Sequence, residues 1–263
     1  MGLQKLYQID AFTDKLYSGN PAAVCILENW IEDSIMQKIA MENNLAETAF
    51  AVKEGSQYII RWFTPELEVD LCGHATLATA YVLFNYYNLN VSFIEFFSPR
   101  SGKLLVEKGK NGLLILDFPT DEIKSIKQIQ VLNEAIGQNP VQTLKGKTDY
   151  LLIFNNQDEI EQLRPNFFLL NQLAARGVIV SAPGDEVDFV SRFFAPQCGV
   201  NEDPVTGSAH TSLIPYWSRA LGKSKLVAKQ LSKRGGDIYC EFMDNRVKIA
   251  GRAVPYLKGE III

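Results

Sequence analysis

A repeated segment constrains the fold of this chain more than any other feature. The first copy is Arg61-Trp62-Phe63-Thr64-Pro65, followed by an acidic loop and then Gly73-His74-Ala75-Thr76. The second copy is Arg192-Phe193-Phe194-Ala195-Pro196, followed by another acidic loop and then Gly207-Ser208-Ala209-His210-Thr211. Both histidines of the protein lie inside the repeat. The repeat predicts two related lobes, each with a strand, a turn and a helix whose N-terminus begins at a glycine.

The remaining pattern predicts an α+β fold, because strand-like segments outnumber helical ones and several end in turn residues. A polar stretch near Thr120–Gln130 is the candidate domain junction. We therefore assign residues 1–119 to the first lobe, with the C-terminal strand 259–263 as a candidate completion of it, and residues 120–258 to the second. The predicted helices are Ser34–Asn43 with Asp33 as N-cap, Gly73–Asn88, Ile129–Ile136, Asn166–Ala175, and Ser208–Leu221 with a kink or early end at Pro215.

Composition excludes several classes of protein. Hydrophobic residues make up 47% and charged residues 21% of the 263 residues, which is typical of a globular chain and argues against disorder. The net charge of −4 gives no electrostatic reason to expect nucleic acid as a partner. No apolar run approaches the roughly 18–20 residues of a membrane helix, and the start of the chain lacks the shape of a signal peptide. Four scattered cysteines are expected to be reduced thiols of a cytoplasmic protein.

The two predicted helix starts suit an anionic ligand. A helix N-terminus carries unpaired backbone N–H groups and a partial positive charge, and Gly73 and Gly207 would let ligand atoms approach that backbone. The alternative is that both glycines only relieve strain in a turn. His74 lies in the first turn of its helix, where the dipole favours the neutral imidazole that can donate or accept near pH 7. A hydrogen-bonded structural role is the alternative for His74, and it is the favoured one for His210.

Two carboxylates are candidates for acid–base chemistry. Asp203 precedes Pro204 in the second acidic loop, where it could also simply cap the following helix. Glu47 lies in a turn that enters an apolar strand, and its neighbours Ala46 and Ala49 would partly desolvate the carboxylate, as a general acid/base requires. From local sequence alone, an exposed strand position remains the favoured reading of Glu47.

Other signatures are absent from the sequence. There is no Gly-x-Gly-x-x-Gly, no Gly-x-x-x-x-Gly-Lys and no Gly-x-Ser-x-Gly, so nucleotide binding and a hydrolase nucleophile elbow are unsupported. The spacing of Cys72, His74, Cys198 and His210 fits no usual zinc pattern. The sequence therefore predicts no metal site.

Taken together, the motifs of this chain resemble those of the PhzF family, the phenazine-biosynthesis-type isomerases that share the diaminopimelate epimerase fold. The matching segments run in family order over most of the chain. They are Asp10-Ala11-Phe12-Thr13, Gly19-Asn20-Pro21-Ala22-Ala23-Val24, Glu47-Thr48-Ala49-Phe50, Cys72-Gly73-His74-Ala75-Thr76, Arg192-Phe193-Phe194-Ala195-Pro196 and Glu202-Asp203-Pro204-Val205-Thr206-Gly207-Ser208-Ala209-His210.

The resemblance implies two pseudo-symmetric lobes, each a curved, mostly antiparallel sheet around a central helix, with the active site between them. By the same resemblance Glu47 corresponds to the family's proton-transferring carboxylate, and the residues that match its substrate site are Gly73, His74, Asp203, Gly207 and Ser208. We expect His74 and Asp203 to be catalytic with Glu47, by orienting the reacting group and stabilising the developing charge, and Asn20 to bind substrate. The resemblance also implies a homodimer that works without metal or organic cofactor.

The sequence lacks the second of the two cysteines found in better-known relatives of this fold, and this limits the type of reaction expected. Diaminopimelate epimerase and proline racemase resemble two-thiol enzymes, with a cysteine at each helix start. Here Cys72 occupies the first such place, but the second offers Pro204-Val205-Thr206, and Cys198 lies nine positions too early. A single carboxylate can return a proton to a different carbon on the same face, so the residues favour a 1,3-type proton shift on a small carboxylate-bearing, amino-acid-like substrate. The alternatives are an amino-acid epimerase or racemase that uses Cys72, and a non-catalytic small-molecule-binding or interaction protein.

Overall fold

The computed structural model describes residues 2–263 as a mixed α/β fold with 23% helix and 42% strand. It divides into two compact units: unit 1 runs to Asp117 and resumes at Ala250, and unit 2 is Phe118–Ile249. Among the described residues, no helix is long and apolar enough to cross a membrane.

The strands are β1 (Leu3–Ala11), β2 (Asn20–Leu27), β3 (Glu47–Glu54), β4 (Gln57–Phe63), β5 (Glu68–Val69), β6 (Phe93–Ser98), β7 (Gly102–Lys108), β8 (Leu114–Pro119), β9 (Lys124–Ser125), β10 (Gln142–Lys145), β11 (Asp149–Ile153), β12 (Gly177–Pro183), β13 (Phe189–Phe194), β14 (Lys225–Gln230), β15 (Gly236–Met243), β16 (Arg246–Gly251) and β17 (Ala253–Ile262). The α-helices are α1 (Asp33–Asn43), α2 (Gly73–Val82), α3 (Gln130–Ile136), α4 (Gln157–Gln162), α5 (Phe167–Leu170) and α6 (His210–Leu221).

Unit 1 is built around α2. Strand β1 pairs antiparallel with both β17 and β2, β2 pairs parallel with β3, and β3 forms an antiparallel hairpin with β4. Helix α2 packs against β1, β2 and β3, and all its residues are buried except Gly73 and Tyr81. A helix that is apolar on every side is stable only when it is surrounded by other elements, which explains its central place in this unit.

Two sequence predictions in unit 1 need correction. Helix α1 begins at Asp33, not Ser34, and its N-cap position is Glu32, which makes no capping side-chain bond. Asp33 is therefore not the cap, and it instead accepts hydrogen bonds from Arg61. The helix predicted to reach Asn88 is α-helical only to Val82 and continues as a π-helical segment to Tyr87.

Unit 2 contains the second copy of the repeat. Strands β11 and β12 pair in parallel, β12 and β13 form an antiparallel pair, β13 pairs parallel with β14, and β14 pairs antiparallel with β15. Helix α6 packs against β14 and β15. On this helix Trp217 stacks on Phe189 with ring centroids 5.7 Å apart and donates a hydrogen bond to Ser181 Oγ at 2.9 Å.

Three helix predictions in unit 2 also differ from the structure. Helix α6 begins at His210, not Ser208, and it runs through Pro215 to Leu221, so the expectation of an early end was wrong. The predicted helix Asn166–Ala175 is only the single turn α5. Helix α4 was not predicted at all, although Asn156 caps it by accepting from Glu159 N–H.

The repeat has the same local structure in each unit. In both copies the arginine lies on the second strand of an antiparallel pair, and an acidic loop follows before the buried helix begins. Arg61 makes a two-point hydrogen bond to Glu68, at 2.7 and 2.9 Å, and Arg192 makes the same pair of bonds to Glu202, at 2.7 and 3.0 Å. Each arginine thus binds a carboxylate of the segment that leads to the helix start. These two-point bonds fix the position of that segment in both copies of the repeat.

Candidate active site

Three elements of unit 1 bring the predicted residues Asn20, Glu47 and His74 together. Asn20 is the first residue of β2, Glu47 is the first residue of β3, and these strands pair in parallel with Ala22 opposite Glu47. Parallel strands that start together place their first residues at one edge of the sheet. Helix α2 packs against both strands, and His74 is its second residue. Glu47 is not an exposed strand residue, because only 19% of its side chain is accessible.

The contacts of the His74 ring define its tautomer. Asn20 Nδ2 donates to His74 Nδ1 at 3.2 Å, and Cys72 Sγ lies 3.4 Å from the same nitrogen. With the Asn20 amide in this orientation its nitrogen can only donate, so Nδ1 is assigned as the acceptor and the ring proton to Nε2. His74 Nε2 is 3.2 Å from Glu47 Oε2. Nε2 therefore lies at hydrogen-bonding distance from the carboxylate, although the two atoms are not aligned as a hydrogen bond.

Burial keeps this imidazole uncharged. His74 is 5% exposed, and desolvation lowers the pKa of its side chain from 6.5 to about 3. The ring is therefore neutral throughout the physiological pH range. A neutral donor beside a carboxylate can stabilise the ionised form without forming a permanent ion pair, so the carboxylate stays able to accept and release a proton.

Three side chains of this site are of types that can bind a metal ion. Glu47, Cys72 and His74 each offer a ligand atom, and these atoms lie within 4.8 Å of one another. However, the thiol and the carboxylate face different nitrogens of the imidazole ring. That arrangement links the three groups through the ring and suits hydrogen bonding better than shared coordination of one ion.

Gly73 is the first residue of α2 in unit 1, and unit 2 holds Asp203, Gly207 and Ser208 on the loop before α6. Asp203 lies next to Glu202, whose carboxylate Arg192 holds. The Thr206 hydroxyl donates to Asp203 Oδ2 at 2.5 Å. Gly207 and Ser208 follow in the turn that leads into the helix.

Sequence reasoning missed Arg176, which contacts one of these residues. Arg176 precedes β12 and donates at 3.0 Å from Nη1 to Ser208 Oγ, while its Nε and Nη2 both donate to the buried carboxylate of Asp149. Burial acts to lower the pKa of Arg176, but the hydrogen bonds and charge of Asp149, with smaller effects of Cys198 and Asp203, outweigh it and raise the pKa. A lone arginine before a strand carries no sequence signal, so only its partners in the structure reveal it.

The contacts of Arg176 also orient the Ser208 hydroxyl. Arginine can only donate, so Ser208 Oγ is the acceptor in this bond, and its proton is available to a second partner. Among the described residues, the hydroxyl donates to no protein acceptor. Ser208 therefore presents a hydrogen-bond donor that an anionic ligand group could accept.

The second histidine, His210, is buried and hydrogen-bonded within unit 2. His210 is fully buried, and its Nδ1 donates to the Thr206 carbonyl at 2.9 Å. Desolvation lowers its pKa from 6.5 to about 4, although the bond to Thr206 opposes the shift. This matches the structural role that the sequence favoured for His210.

A half-buried carboxylate beside a neutral imidazole at a helix start is an arrangement suited to acid–base chemistry. Comparison with known proteins agrees with that class. Residues 9–259 match the family described as phenazine biosynthesis-like protein, PhzC-PhzF. An uncharacterized isomerase of Pseudomonas aeruginosa is 50% identical over 258 residues, which is 98% of each chain.

Comparison with solved structures supports the same family. The crystal structure of a PhzF-family phenazine biosynthesis protein from Enterococcus faecalis has a TM-score of 0.96 and 46% sequence identity, and the match covers 100% of both chains. A probable proline racemase from Agrobacterium radiobacter shares the fold at a TM-score of 0.65 and 8% identity, with 99% of this chain and 93% of that one covered. This chain belongs to the PhzF family, and its close homologues are named isomerases.

Proposed function

We propose that this isomerase transfers a proton between two carbons of a small carboxylate-bearing, amino-acid-like substrate, without a cofactor, and that Glu47 carries the proton. The observation that supports the proposal is the 3.2 Å contact of His74 Nε2 with Glu47 Oε2, in a site where His74 is neutral. Glu47 lies in contact with an uncharged ring nitrogen, and its side chain is mostly removed from water. A carboxylate in such surroundings can act as the base that removes a proton from carbon.

The proposed reaction is a 1,3-type shift. The Glu47 carboxylate removes a proton from one carbon, and the electron pair of the broken C–H bond forms a new double bond to the adjacent carbon while the existing double-bond pair moves to the far carbon. The protonated Glu47 then returns the proton to the carbon at the far end of that bond. No atom or electron is gained or lost, so one carboxyl group suffices. In this proposal Asp203 orients the reacting group of the substrate. His74 holds the Glu47 side chain in position while it removes the proton and while it returns it.

The residues near Ser208 support a carboxylate on the substrate. Arg176 brings a positive group to the Ser208 hydroxyl, which has a proton to donate. A substrate carboxylate would accept the hydrogen bond that the Ser208 hydroxyl has left to donate. In unit 1, Gly73 at the start of α2 offers a backbone N–H group to an anionic ligand.

One observation keeps a second candidate function open. Cys72 Sγ lies 3.4 Å from His74 Nδ1, so a thiol and an imidazole are in contact. An amino-acid epimerase or racemase could use Cys72 as one of its two acid–base groups. Stereochemical inversion requires a second such group on the opposite face of the carbon, and Glu47 is the candidate for that role.

The two functions can be separated by proton NMR in D₂O. The intact protein is incubated with a panel of small amino acids and of unsaturated cyclic amino acids related to dihydro-hydroxyanthranilate. We expect deuterium to enter one ligand at the carbon that receives the proton, together with a shifted double bond. Deuterium at the original carbon with scrambled configuration would instead establish racemisation. If the panel gives binding without exchange, the acid–base proposal is contradicted for these substrate classes.

A further inference from the structure

A fully buried glutamine lies behind the loop that carries Asp203. Gln230 is the last residue of β14 and is 0% exposed. Its Oε1 accepts from the Thr206 backbone N–H at 2.9 Å, and its Nε2 donates to the Asp203 backbone carbonyl at 2.8 Å. A backbone N–H can only donate and a carbonyl can only accept, so both bonds fix the same orientation of the side-chain amide.

This orientation determines where the Thr206 hydroxyl proton points. Gln230 Nε2 also lies 3.2 Å from Thr206 Oγ1 and donates to it. The hydroxyl then has one proton left, and Asp203 Oδ2 is 2.5 Å away. Thr206 is 6% exposed, so water competes little for that proton. The result is a directed chain of hydrogen bonds from the Gln230 amide through the Thr206 hydroxyl to the Asp203 carboxylate.

We infer that Gln230 and Thr206 are positioning residues that keep Asp203 an ionised hydrogen-bond acceptor. A donor directed at a carboxylate oxygen stabilises the charged form over the protonated one. The nearby charge of Arg176 acts in the same direction. The role of Asp203 toward substrate rests on the proposed function, whereas the chain of hydrogen bonds does not.

The ionised state of Asp203 limits which groups of the substrate it can bind. Asp203 Oδ2 already accepts a hydrogen bond from the Thr206 hydroxyl. An ionised carboxylate in this state can accept further hydrogen bonds from N–H or O–H groups, but it has no proton to donate to carbon. Asp203 would therefore recognise an ammonium or hydroxyl group of the substrate, and the proton transfer is left to Glu47. A substrate with an amino or hydroxyl group beside its carboxylate meets both this requirement and the donors at Ser208.

The test is a titration of the Asp203 carboxyl group by ¹³C NMR in the full-length protein, with the signal assigned by its loss in Asp203→Asn. Thr206→Val removes the hydroxyl and keeps the shape, so the titration midpoint should rise by about one pH unit. Thr206→Ser restores a hydroxyl and should return the midpoint close to the wild-type value.

Ser232→Ala is the matched control for loosening of the loop. Ser232 Oγ donates to the Pro204 carbonyl at 2.8 Å and thus tethers the same loop without touching the carboxylate. It should leave the Asp203 midpoint unchanged. These variants also keep the charged neighbours Arg176, Arg192 and Glu202.

Two results would overturn the inference. One is an Asp203 midpoint in Thr206→Val equal to that of the wild type, and the other is a shift in Ser232→Ala as large as that in Thr206→Val. The titration needs no substrate, so it can succeed even if the proposed proton shift fails. Conversely, deuterium exchange that survives while the midpoint does not move would leave the proposed function standing and remove the positioning role.

Discussion

His74 Nε2 lies 3.2 Å from Glu47 Oε2, while Asn20 donates to the opposite ring nitrogen of the same histidine. With the Asn20 amide in this orientation, the first contact favours a neutral ring with its proton on Nε2. Burial supports that state, because desolvation lowers the pKa of His74 to about 3. A histidine so placed keeps an uncharged ring beside Glu47 throughout the physiological pH range.

The tautomer of His74 can be measured directly. We expect ¹⁵N NMR to show one protonated and one unprotonated ring nitrogen between pH 5 and 8, with the proton on Nε2, and no titration in that range. Asn20→Asp removes the amide donor and should weaken the preference for this tautomer. A wild-type ring that titrates near 6.5, or that carries its proton on Nδ1, would contradict the geometry of the site.

Arg176 and Ser208 are expected to act together on the substrate carboxylate. Ser208→Ala removes a donor to an anion and should raise KM about tenfold, with kcat within about threefold of the wild type. Arg176→Lys keeps the positive charge but loses the two-point hydrogen bond to Asp149, and it should also raise KM. If Arg176 acts through Ser208, the double variant will show less than the sum of the two free-energy effects.

Arg164→Lys is the control for this pair, because the Arg164 guanidinium bonds only to the backbone carbonyls of Glu161 and Leu163. It should leave both kinetic constants unchanged. Strict additivity in the double variant would show that Arg176 and Ser208 contribute separately.

The buried His210 should make the protein less stable in acid. Its pKa is lowered from 6.5 to about 4 in the folded state by desolvation. As the pH falls below 6.5, the unfolded chain binds a proton at this position before the folded chain does, so unfolding is favoured. The stability contribution is present above pH 6.5 and is lost as the pH falls toward about 4, with a total on the order of 3 kcal/mol.

His210→Asn tests this sign. Asparagine can keep a donor near the Thr206 carbonyl but cannot titrate. We expect the variant to be less stable at pH 7, because it packs less well, and to lose less stability than the wild type between pH 6.5 and 4 in urea unfolding. Equal losses in the two proteins would show that His210 does not carry the acid sensitivity.

The parts of the fold that follow from local chemistry were predictable from sequence. The repeat at Arg61 and Arg192 correctly identified two strands that lead through acidic loops to buried helices, because the spacing of glycine, proline and charge is visible in the chain. Helix ends were less predictable. Nothing local shows that α6 continues through Pro215, since the packing of Trp217 on Phe189 holds the helix together.

The candidate site was predictable where it lies within motifs. Glu47, His74 and Asn20 stand in recognisable segments, and the structure brings them into contact within unit 1. Arg176 and Gln230 stand in no motif. Their importance depends on hydrogen bonds to residues 32 and 24–27 positions away along the chain, and such contacts exist only in the folded protein.

The most direct test of the central claim compares Glu47→Gln with Cys72→Ala by deuterium incorporation in D₂O, using the ligand that the wild-type protein labels. Glutamine keeps the size of the side chain but cannot accept and return a proton, so incorporation should fall at least a thousandfold, with ligand binding retained. Cys72→Ala should keep incorporation within about tenfold of the wild type, because the thiol contacts the ring nitrogen of His74 that faces away from Glu47. Exchange that persists in Glu47→Gln and is lost in Cys72→Ala would contradict the account and establish the thiol as the acid–base group.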